Sequence, residues 1–249
     1  MLSHSNDNLY ENLLSKAISI YGSKGLKHLL HSSFWYLIDM YVTSAYYNKF
    51  KSSETFHFQG KSYHYVFHRY CTTWKNERCA IIPIARDIML QYQKQGKKIL
   101  EVGNVMSYIY PVVHDVIDKY EIVDSVINKD IVDFQTSKRY DLIFSIVTIQ
   151  HIGHTESPRY PRKVLKAIGN LKKILALNGE RVILHALGQN KEMDELIKNH
   201  ELGFSDQYYL MKVSKYVWKE ASWEDVKDLP YDYAIPSARG VVIGIYKYQ

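Results

Sequence analysis

Two acidic residues stand at the ends of successive apolar segments near the middle of the chain. Glu101 and Gly103 lie in Lys97–Gly103 (KKILEVG), and Asp118 ends His114–Asp118 (HDVID). Glycine lets the backbone approach a ligand closely, and a carboxylate accepts hydrogen bonds from both hydroxyls of a ribose. The pattern therefore predicts a site for a ribose-containing cofactor, with Asp118 on the ribose.

Two histidines follow a third apolar segment, in the stretch Gln-His-Ile-Gly-His-Thr-Glu that begins at Gln150. A loop at the carboxyl end of a parallel strand opens onto the ligand crevice, and histidine titrates near neutral pH. We predict His151 as a general base that takes a hydroxyl proton. The alternative, that His151 only orients the loop, stays open. Three loosely spaced ligands, His151, His154 and Glu156, are a weak metal signal, and we expect no metal.

Basic and aromatic side chains precede these segments in Tyr63–Pro83 (YHYVFHRYCTTWKNERCAIIP). Arginine binds carboxylates and phosphates through its planar guanidinium group. We predict that Arg69, Trp74 and Arg78 contact an acidic acceptor molecule or cover the cofactor.

The elements that must position these residues alternate between strands and helices from Lys97 onward. Apolar strands are predicted at Ile99–Val102, Asp115–Ile117, Tyr140–Ile146 and Arg181–Ala186, and a helix at Arg162–Leu175 that stops at Leu177-Asn178-Gly179. Buried strands separated by helices indicate a mostly parallel sheet between two helical layers, a three-layer αβα, Rossmann-like α/β fold. Two later strand-like runs, Tyr208–Val213 and Gly240–Tyr246, predict an antiparallel pair at the sheet edge.

The N-terminal part follows a different pattern. Residues 8–50 are predicted to be helical, residues 55–70 to form a hairpin around Gln59-Gly60-Lys61, and residues 75–95 to be helical again. We therefore expect residues 1–74 to form a helical and hairpin cap over the acceptor pocket. Residues 75–249 are expected to form the cofactor-binding domain.

Composition narrows the class of protein and its partners. Residues 1–98 hold 13 Lys and Arg against 6 Asp and Glu, which predicts an acidic partner such as a phosphate or a lipid headgroup. The apolar run Phe34–Tyr47 is too short to span a bilayer, so peripheral membrane contact and homodimer formation stay open. Two cysteines and no apolar leader predict a cytoplasmic protein. Without an RNA-binding signature, we do not expect nucleic acid as a partner.

Five motifs, taken in order, resemble those of class I S-adenosylmethionine-dependent methyltransferases over residues 75–249. They are ILEVGN, HDVIDKYE, NKDIVDF, YDLIFSIVTIQHIG and LKKILALNGERVIL. The resemblance implies S-adenosylmethionine as cofactor, with Glu101 near its amino group, Asp118 on the ribose, Asp130 on the adenine amino group and Ile131 beside the ring. Tyr63–Pro83 is similar to a segment in a subset of these enzymes from glycan and cell-surface biosynthesis, which implies a saccharide or other small polar acceptor and O-methylation.

One departure from the family concerns the glycines after Glu101. The family carries two or three, and here only Gly103 remains, followed by Asn104, which tolerates positive φ and is predicted to support the turn. Two alternatives therefore stay open. One is a non-catalytic scaffold of the same fold. The other is a nicotinamide-dependent oxidoreductase, which is disfavoured because Gly-x-Gly-x-x-Gly is missing.

Overall fold

The computed structural model describes residues 4–160 and 162–248, with side chains described at residue 18 and from residue 21 onward. The chain divides into two compact units, Met1–Lys51 and Ser52–Gln249. The predicted roles of residues 1–74 as a cap and 75–249 as a cofactor-binding domain remain predictions.

The first unit is helical, in agreement with the sequence. Helix α1 (His4–Leu37) is interrupted at Gly25, where φ is 77° and ψ is 173°. It continues through a π-helical turn, Ile38–Thr43, into α2 (Ser44–Phe50). No helix among the described residues is long and apolar enough to cross a membrane.

The second unit begins with a hairpin and a helix, and a hydrogen bond joins the segment after the hairpin to the helix. Strands β1 (Thr55–Phe58) and β2 (Lys61–His64) pair antiparallel, and α3 (Arg78–Lys94) follows a 3₁₀ turn, Tyr70–Lys75. Pro83 lies inside α3 and cannot donate to the carbonyl four residues earlier. That carbonyl, of Cys79, instead accepts from the Val66 amide at 3.0 Å. The proline therefore helps to fasten the segment after the hairpin to α3.

An eight-stranded sheet forms the centre of this unit. Its first five strands in space are parallel, and the last three are antiparallel to their neighbours. The spatial order is β5-β4-β3-β6-β7-β10-β8-β9. The strands are β3 (Ile99–Val102), β4 (Asp115–Asp118), β5 (Ile127–Asn128), β6 (Tyr140–Ile146), β7 (Leu175–Ala186), β8 (Asp206–Ser214), β9 (Val217–Ala221) and β10 (Gly240–Lys247).

Helices cover both faces of the sheet, which confirms the predicted three-layer α/β class. Helix α3 packs on β3 and β6 on one face. On the other face, α4 (Lys163–Ile174) and α5 (Lys191–Lys198) bury their apolar sides in a core with β3 and β7. A short α6 (Trp223–Val226) precedes β10. Parallel strands covered on both faces are buried along nearly their whole length and are mostly apolar, as β3 and β6 are.

The structure corrects several predicted elements. Between β3 and β4 the connection holds only a 3₁₀ turn, Met106–Tyr108, in place of a helix, since Pro111 limits its length. Strand β7 starts at Leu175, and the left-handed residue Asn178 (φ 60°) lies within it, near a register shift against β6. The predicted antiparallel pair forms between β8 and β10. It does not end the sheet, because β9, for which no strand was predicted, pairs with β8 and forms the edge.

A buried arginine joins β7 to α4 and to the segment that follows α5. Arg181 is almost fully buried, and its guanidinium donates to the carbonyls of Leu202 at 2.6 Å and Ile168 at 3.5 Å. Its Cζ lies 4.7 Å from the centre of the Tyr246 ring. Burial lowers the pKa of Arg181 to about 10, which still leaves the group charged at pH 7. The charge is therefore stabilised by carbonyls and an aromatic face.

We expect Arg181→Ala to lower the free energy of unfolding by about 3 kcal/mol or more, because it removes buried side-chain packing and takes from the Leu202 carbonyl its hydrogen-bond donor. Urea unfolding of the full chain measures the change. The control Arg139→Ala removes an exposed arginine and should change the value by no more than about 0.5 kcal/mol. Equal effects of the two substitutions would contradict the assigned role.

Candidate active site

A cavity of about 290 Å³ opens at the carboxyl ends of β3, β4 and β6. In an open parallel sheet this edge is where ligands bind. Its walls come from the loops that follow these strands and from the segment after β5. The lining residues are Val102, Gly103, Ile117, Asp118, Lys119, Tyr120, Lys129, Asp130, Ile131, Thr148, His151, Ile152, Thr155 and Glu156.

Gly103 lines the cavity, as predicted, and the structure shows why glycine is needed. Its φ is +89°, and its amide donates to the Ile117 carbonyl at 2.8 Å. A Cβ atom at this position would lie 2.1 Å from Oγ1 of Thr148. The glycine therefore makes room for a threonine from the neighbouring loop, in addition to any ligand.

Glu101 differs from its predicted position, because it is fully buried and does not line the cavity. Its Oε1 accepts from the amides of Val105 and Met106, both at 2.9 Å. Its Oε2 lies 2.9 Å from Nε2 of His114. The carboxylate thus shapes the turn after β3, and its contact with a cofactor amino group remains a prediction.

Asn104 supports the same turn in a different way from the one expected. It does not adopt positive φ, and Gly103 makes the turn without it. The Asn104 side chain donates to Oε1 of Glu121 at 2.8 Å and accepts from the Ser107 hydroxyl. Because it is buried in these contacts and absent from the cavity wall, its direct role in binding remains a prediction.

Asp118 ends β4 and lines the cavity, where the sequence placed it. Its Oδ1 accepts from the amides of Tyr120 at 2.8 Å and Glu121 at 3.1 Å. Among the described residues, the recorded hydrogen bonds of this carboxylate all use Oδ1. This arrangement fixes the side chain and allows Oδ2 to accept from a ligand hydroxyl.

Asp130 lines the cavity beside Ile131 and belongs to a cluster of four charges. Its Oδ2 lies 2.8 Å from Nζ of Lys163 and 3.1 Å from Nζ of Lys119. Glu156 accepts from the same two lysines, at 2.7 and 2.9 Å. Burial alone raises the pKa of Asp130, but hydrogen bonds from Lys163, Val132 and Lys119 lower it overall. Asp130 is therefore ionised at pH 7.

The loop after β6 carries an unusual backbone. Val147 has φ of +52°, a conformation that costs a β-branched residue about 1–3 kcal/mol. This residue turns the chain so that Thr148 packs on Gly103 and a 3₁₀ turn, Ile149–His151, follows. The strain therefore lies where the loop reaches the cavity.

His151 lines the cavity, as predicted, but its protonation differs from the expectation of a neutral pKa. Burial lowers the pKa of His151 to about 4, and electrostatic repulsion from Arg78 and from the nearby imidazoles of His154 and His185 adds to this effect. The imidazole is therefore neutral at pH 7 and can accept a hydrogen bond. It is a weaker base than an unperturbed histidine.

The three predicted acceptor contacts do not line the cavity, and they occupy different environments. Arg69 is exposed, and Trp74 is buried in the core. Arg78 begins α3, with Nη1 3.4 Å from Oε1 of Glu77 and a buried Nε that has no hydrogen-bond partner among the described residues. Only Arg78 thus combines a buried charge with a hydrogen-bonding atom that is unused.

Sequence reasoning missed three residues of the site, Lys119, Thr148 and Lys163, and considered Glu156 only as a possible metal ligand. Each of the first two stands one or two residues beyond a predicted strand end, which is a signal that could have identified them.

Glu156 pairs with lysines and His154 with Arg159, and no group of three potential metal ligands occurs in the described part of the chain.

Comparisons with known proteins give a fold-level likeness. No protein-family model matches the chain, and no curated protein matches it. Among solved structures, the N-methyltransferase NodS from Bradyrhizobium japonicum, in complex with S-adenosyl-L-homocysteine, is 14% identical with a TM-score of 0.41, over 71% of this chain and 94% of that one. TehB from Haemophilus influenzae is 15% identical with a TM-score of 0.39, over 67% and 63% of the two chains. An amino pentose methyltransferase from Micromonospora echinaspora is 12% identical with a TM-score of 0.30, over 40% and 48%.

The buried carboxylate of Glu101 gives a first test of the site. We expect Glu101→Ala to lower the free energy of unfolding by about 3 kcal/mol, because two buried amides lose their acceptor. Glu101→Gln retains one acceptor oxygen and should cost about 1 kcal/mol. Urea unfolding measures both, with the exposed Glu195→Ala as control. A stable Glu101→Ala variant would show that the turn does not depend on this residue.

The lowered pKa of His151 gives a second test, on stability against pH. The unfolded chain binds a proton on this residue below pH 6.5, whereas the folded protein does so only near pH 4. Acidification from 6.5 to 4 should therefore remove up to about 3 kcal/mol of stability. The variant His151→Asn lacks this group, so acidification should lower its free energy of unfolding less than that of the wild type. The difference between the two should be close to the contribution of His151.

Unfolding free energies at pH 7 and pH 4.5 measure this difference, and His64→Asn, which replaces an exposed histidine, serves as the matched control. Identical acid sensitivity of the wild type and His151→Asn would mean that His151 titrates normally.

Proposed function

We propose that the chain is an S-adenosylmethionine-dependent methyltransferase that acts on a small polar acceptor. The observation that carries this proposal is the cavity wall formed by Gly103, Asp118 and Ile131 at the carboxyl edge of a parallel sheet. In this wall, Gly103 allows the backbone to approach a ligand, Asp118 offers a carboxylate to ribose hydroxyls, and Ile131 offers an apolar surface to a base. A nucleoside requires these three features.

The charge and size of the cavity fit the cofactor. Three carboxylates line it, Asp118, Asp130 and Glu156. Lys119 and Lys163 pair with Asp130 and Glu156, so that among the described residues Asp118 is the lining carboxylate with no recorded lysine partner. S-adenosylmethionine carries a sulfonium cation, which supplies an electrophilic methyl group when the cofactor is bound. A volume of about 290 Å³ is close to the lower end of ordinary ligand pockets, about 300 Å³.

Each wall residue has a defined part in binding. Asp118 would accept hydrogen bonds from the ribose hydroxyls with Oδ2, since Oδ1 already accepts from two amides. Ile131 would pack on the adenine ring. Asp130 would reach the adenine amino group only while it shares its charge with Lys119 and Lys163.

For the acceptor, we propose a hydroxyl group on a saccharide or other small polar molecule. A hydroxyl must give up its proton as its oxygen gains the methyl group, and the neutral imidazole of His151 lies in the cavity wall to accept the hydrogen bond. Because its pKa is low, His151 would mainly orient the hydroxyl and hold the proton briefly.

Arg78 supports an acidic acceptor. Its charge contributes to the lowered pKa of His151, so the two groups lie within electrostatic reach of each other. Its Nε has no partner, and its Nη1 makes only a long contact with Glu77. A carboxylate or phosphate on the acceptor would fill the unused edge of the guanidinium group.

A non-catalytic domain of the same fold is the second candidate function. Two observations favour it. Asp130 is already paired with two lysines, and Glu101 accepts hydrogen bonds from the amides of the turn that follows it. This candidate predicts that a folded chain binds neither S-adenosylmethionine nor its demethylated product, which the following measurement decides.

Isothermal titration with S-adenosylhomocysteine and S-adenosylmethionine tests the proposal on the full chain. We expect measurable binding by the wild type and roughly ten- to hundredfold weaker binding by Asp118→Asn, which retains the Oδ1 acceptor but loses the charge. The exposed Asp133→Ala is the matched control and should bind as the wild type does.

Absence of binding by a well-folded wild type would overturn the proposal and favour the non-catalytic domain. Equal binding by the wild type and Asp118→Asn would retain the cofactor but remove Asp118 from its site.

A further inference from the structure

The helices of the first unit carry an apolar stripe that stays exposed. Leu26, Leu30, Phe34, Leu37 and Tyr41 follow one another at spacings of three or four residues, so they lie along one side of the helix. All five are more than half exposed. We call them the exposed stripe. A helical surface of this kind lacks a partner in a soluble monomer and indicates an interaction site.

Further aromatic side chains surround the exposed stripe. Trp35, Tyr36, Tyr46 and Phe50 are all exposed as well. Tryptophan and tyrosine have an apolar ring with a polar tip, and they concentrate where hydrocarbon meets water. Their number in this segment favours contact with a surface that has hydrocarbon on one side and water on the other.

Lysines flank the exposed stripe at both ends. Lys24 and Lys27 stand at its start, and Lys49 and Lys51 follow its end, whereas Asp39 is the one acidic residue between positions 18 and 51. Four positive charges against one negative charge give a net charge of +3 on this segment. An anionic surface complements it, because each lysine is attracted to the negative charges of such a membrane.

The same lysines disfavour a second copy of this chain as the partner. If two stripes packed face to face, in either orientation, the lysines at each end would meet lysines of the other copy. Like charges brought together across an interface weaken it. No helix among the described residues is long and apolar enough to cross a bilayer, and we take the exposed stripe to lie along the membrane surface.

We infer that the segment from Lys24 to Lys51 binds the surface of a membrane that contains anionic lipids, with the exposed stripe in the headgroup region and the lysines against the negative charges. This site is separate from the proposed cofactor cavity and does not depend on the activity of the chain.

Co-sedimentation with vesicles tests the inference on the full chain. One set of vesicles is phosphatidylcholine alone, and the other is an equal mixture of phosphatidylcholine and phosphatidylglycerol. We expect the wild type to sediment with the mixed vesicles, more weakly as salt is raised, and at least about tenfold less with phosphatidylcholine alone.

Two variants separate the charge from the apolar contact. Lys24→Glu with Lys27→Glu should reduce binding to the mixed vesicles at least about tenfold, and so should Phe34→Ser with Tyr41→Ser. The matched controls are Lys166→Glu with Lys173→Glu, which changes exposed lysines of α4, and Val113→Ser with Ile122→Ser, which changes exposed apolar residues of the second unit. Both should bind as the wild type does.

The inference is overturned if the wild type does not sediment with mixed vesicles, or if the control pairs weaken binding as much as the stripe pairs. Light scattering of the wild type and of Phe34→Ser with Tyr41→Ser tests the competing occupant, a second copy of the chain. A wild-type dimer that becomes a monomer in this variant, with no vesicle binding by the wild type, would assign the exposed stripe to the second copy. Far-ultraviolet circular dichroism confirms that each variant is folded, and titration with S-adenosylhomocysteine on the same variants shows that the cavity is unaffected.

Discussion

The site depends on a single buried carboxylate. One carboxylate oxygen of Glu101 accepts hydrogen bonds from two amides of the turn after β3. The other oxygen lies within hydrogen-bond distance of His114, the residue before β4. A buried polar group without a hydrogen-bond partner destabilises the folded state. The hydrogen bonds of Glu101 therefore determine the path of the chain between the two strands. Gly103 and Asp118 occupy their places in the cavity wall because that path is short and fixed.

The neighbouring loop is fitted to this turn. The strained backbone at Val147 directs Thr148 against Gly103, and neither residue could be enlarged without moving the other. Such strain persists only where the surrounding structure holds it, and it is concentrated at functional sites. Here the strained residue joins the strand at the centre of the sheet to the loop that carries His151. The geometry around the proposed acceptor therefore depends on packing between two loops that are far apart in sequence.

The sequence was sufficient to predict the parallel strands β3, β4 and β6, the helix α4 and the placement of Asp118, Asp130 and His151 at one edge, because apolar runs and strand ends are local patterns. It could not show that Glu101 would satisfy its own loop, or that Asp130 would pair with Lys119 and Lys163, since these contacts arise from chain packing. The position of β9 at the edge was missed because its short alternating pattern lies in a polar segment. The lowered pKa of His151 likewise follows from burial and from charges on other elements, which spacing does not reveal.

The order of the strands has a consequence for synthesis of the protein. Strand β10 lies between β7 and β8 and is the last strand of the sheet to leave the ribosome. Until it arrives, β7 and β8 each present a row of unpaired backbone groups, which can pair with another chain. Between the synthesis of β8 and that of β10, the growing polypeptide therefore carries two open sheet edges, and rapid completion of the sheet limits the time during which they can aggregate.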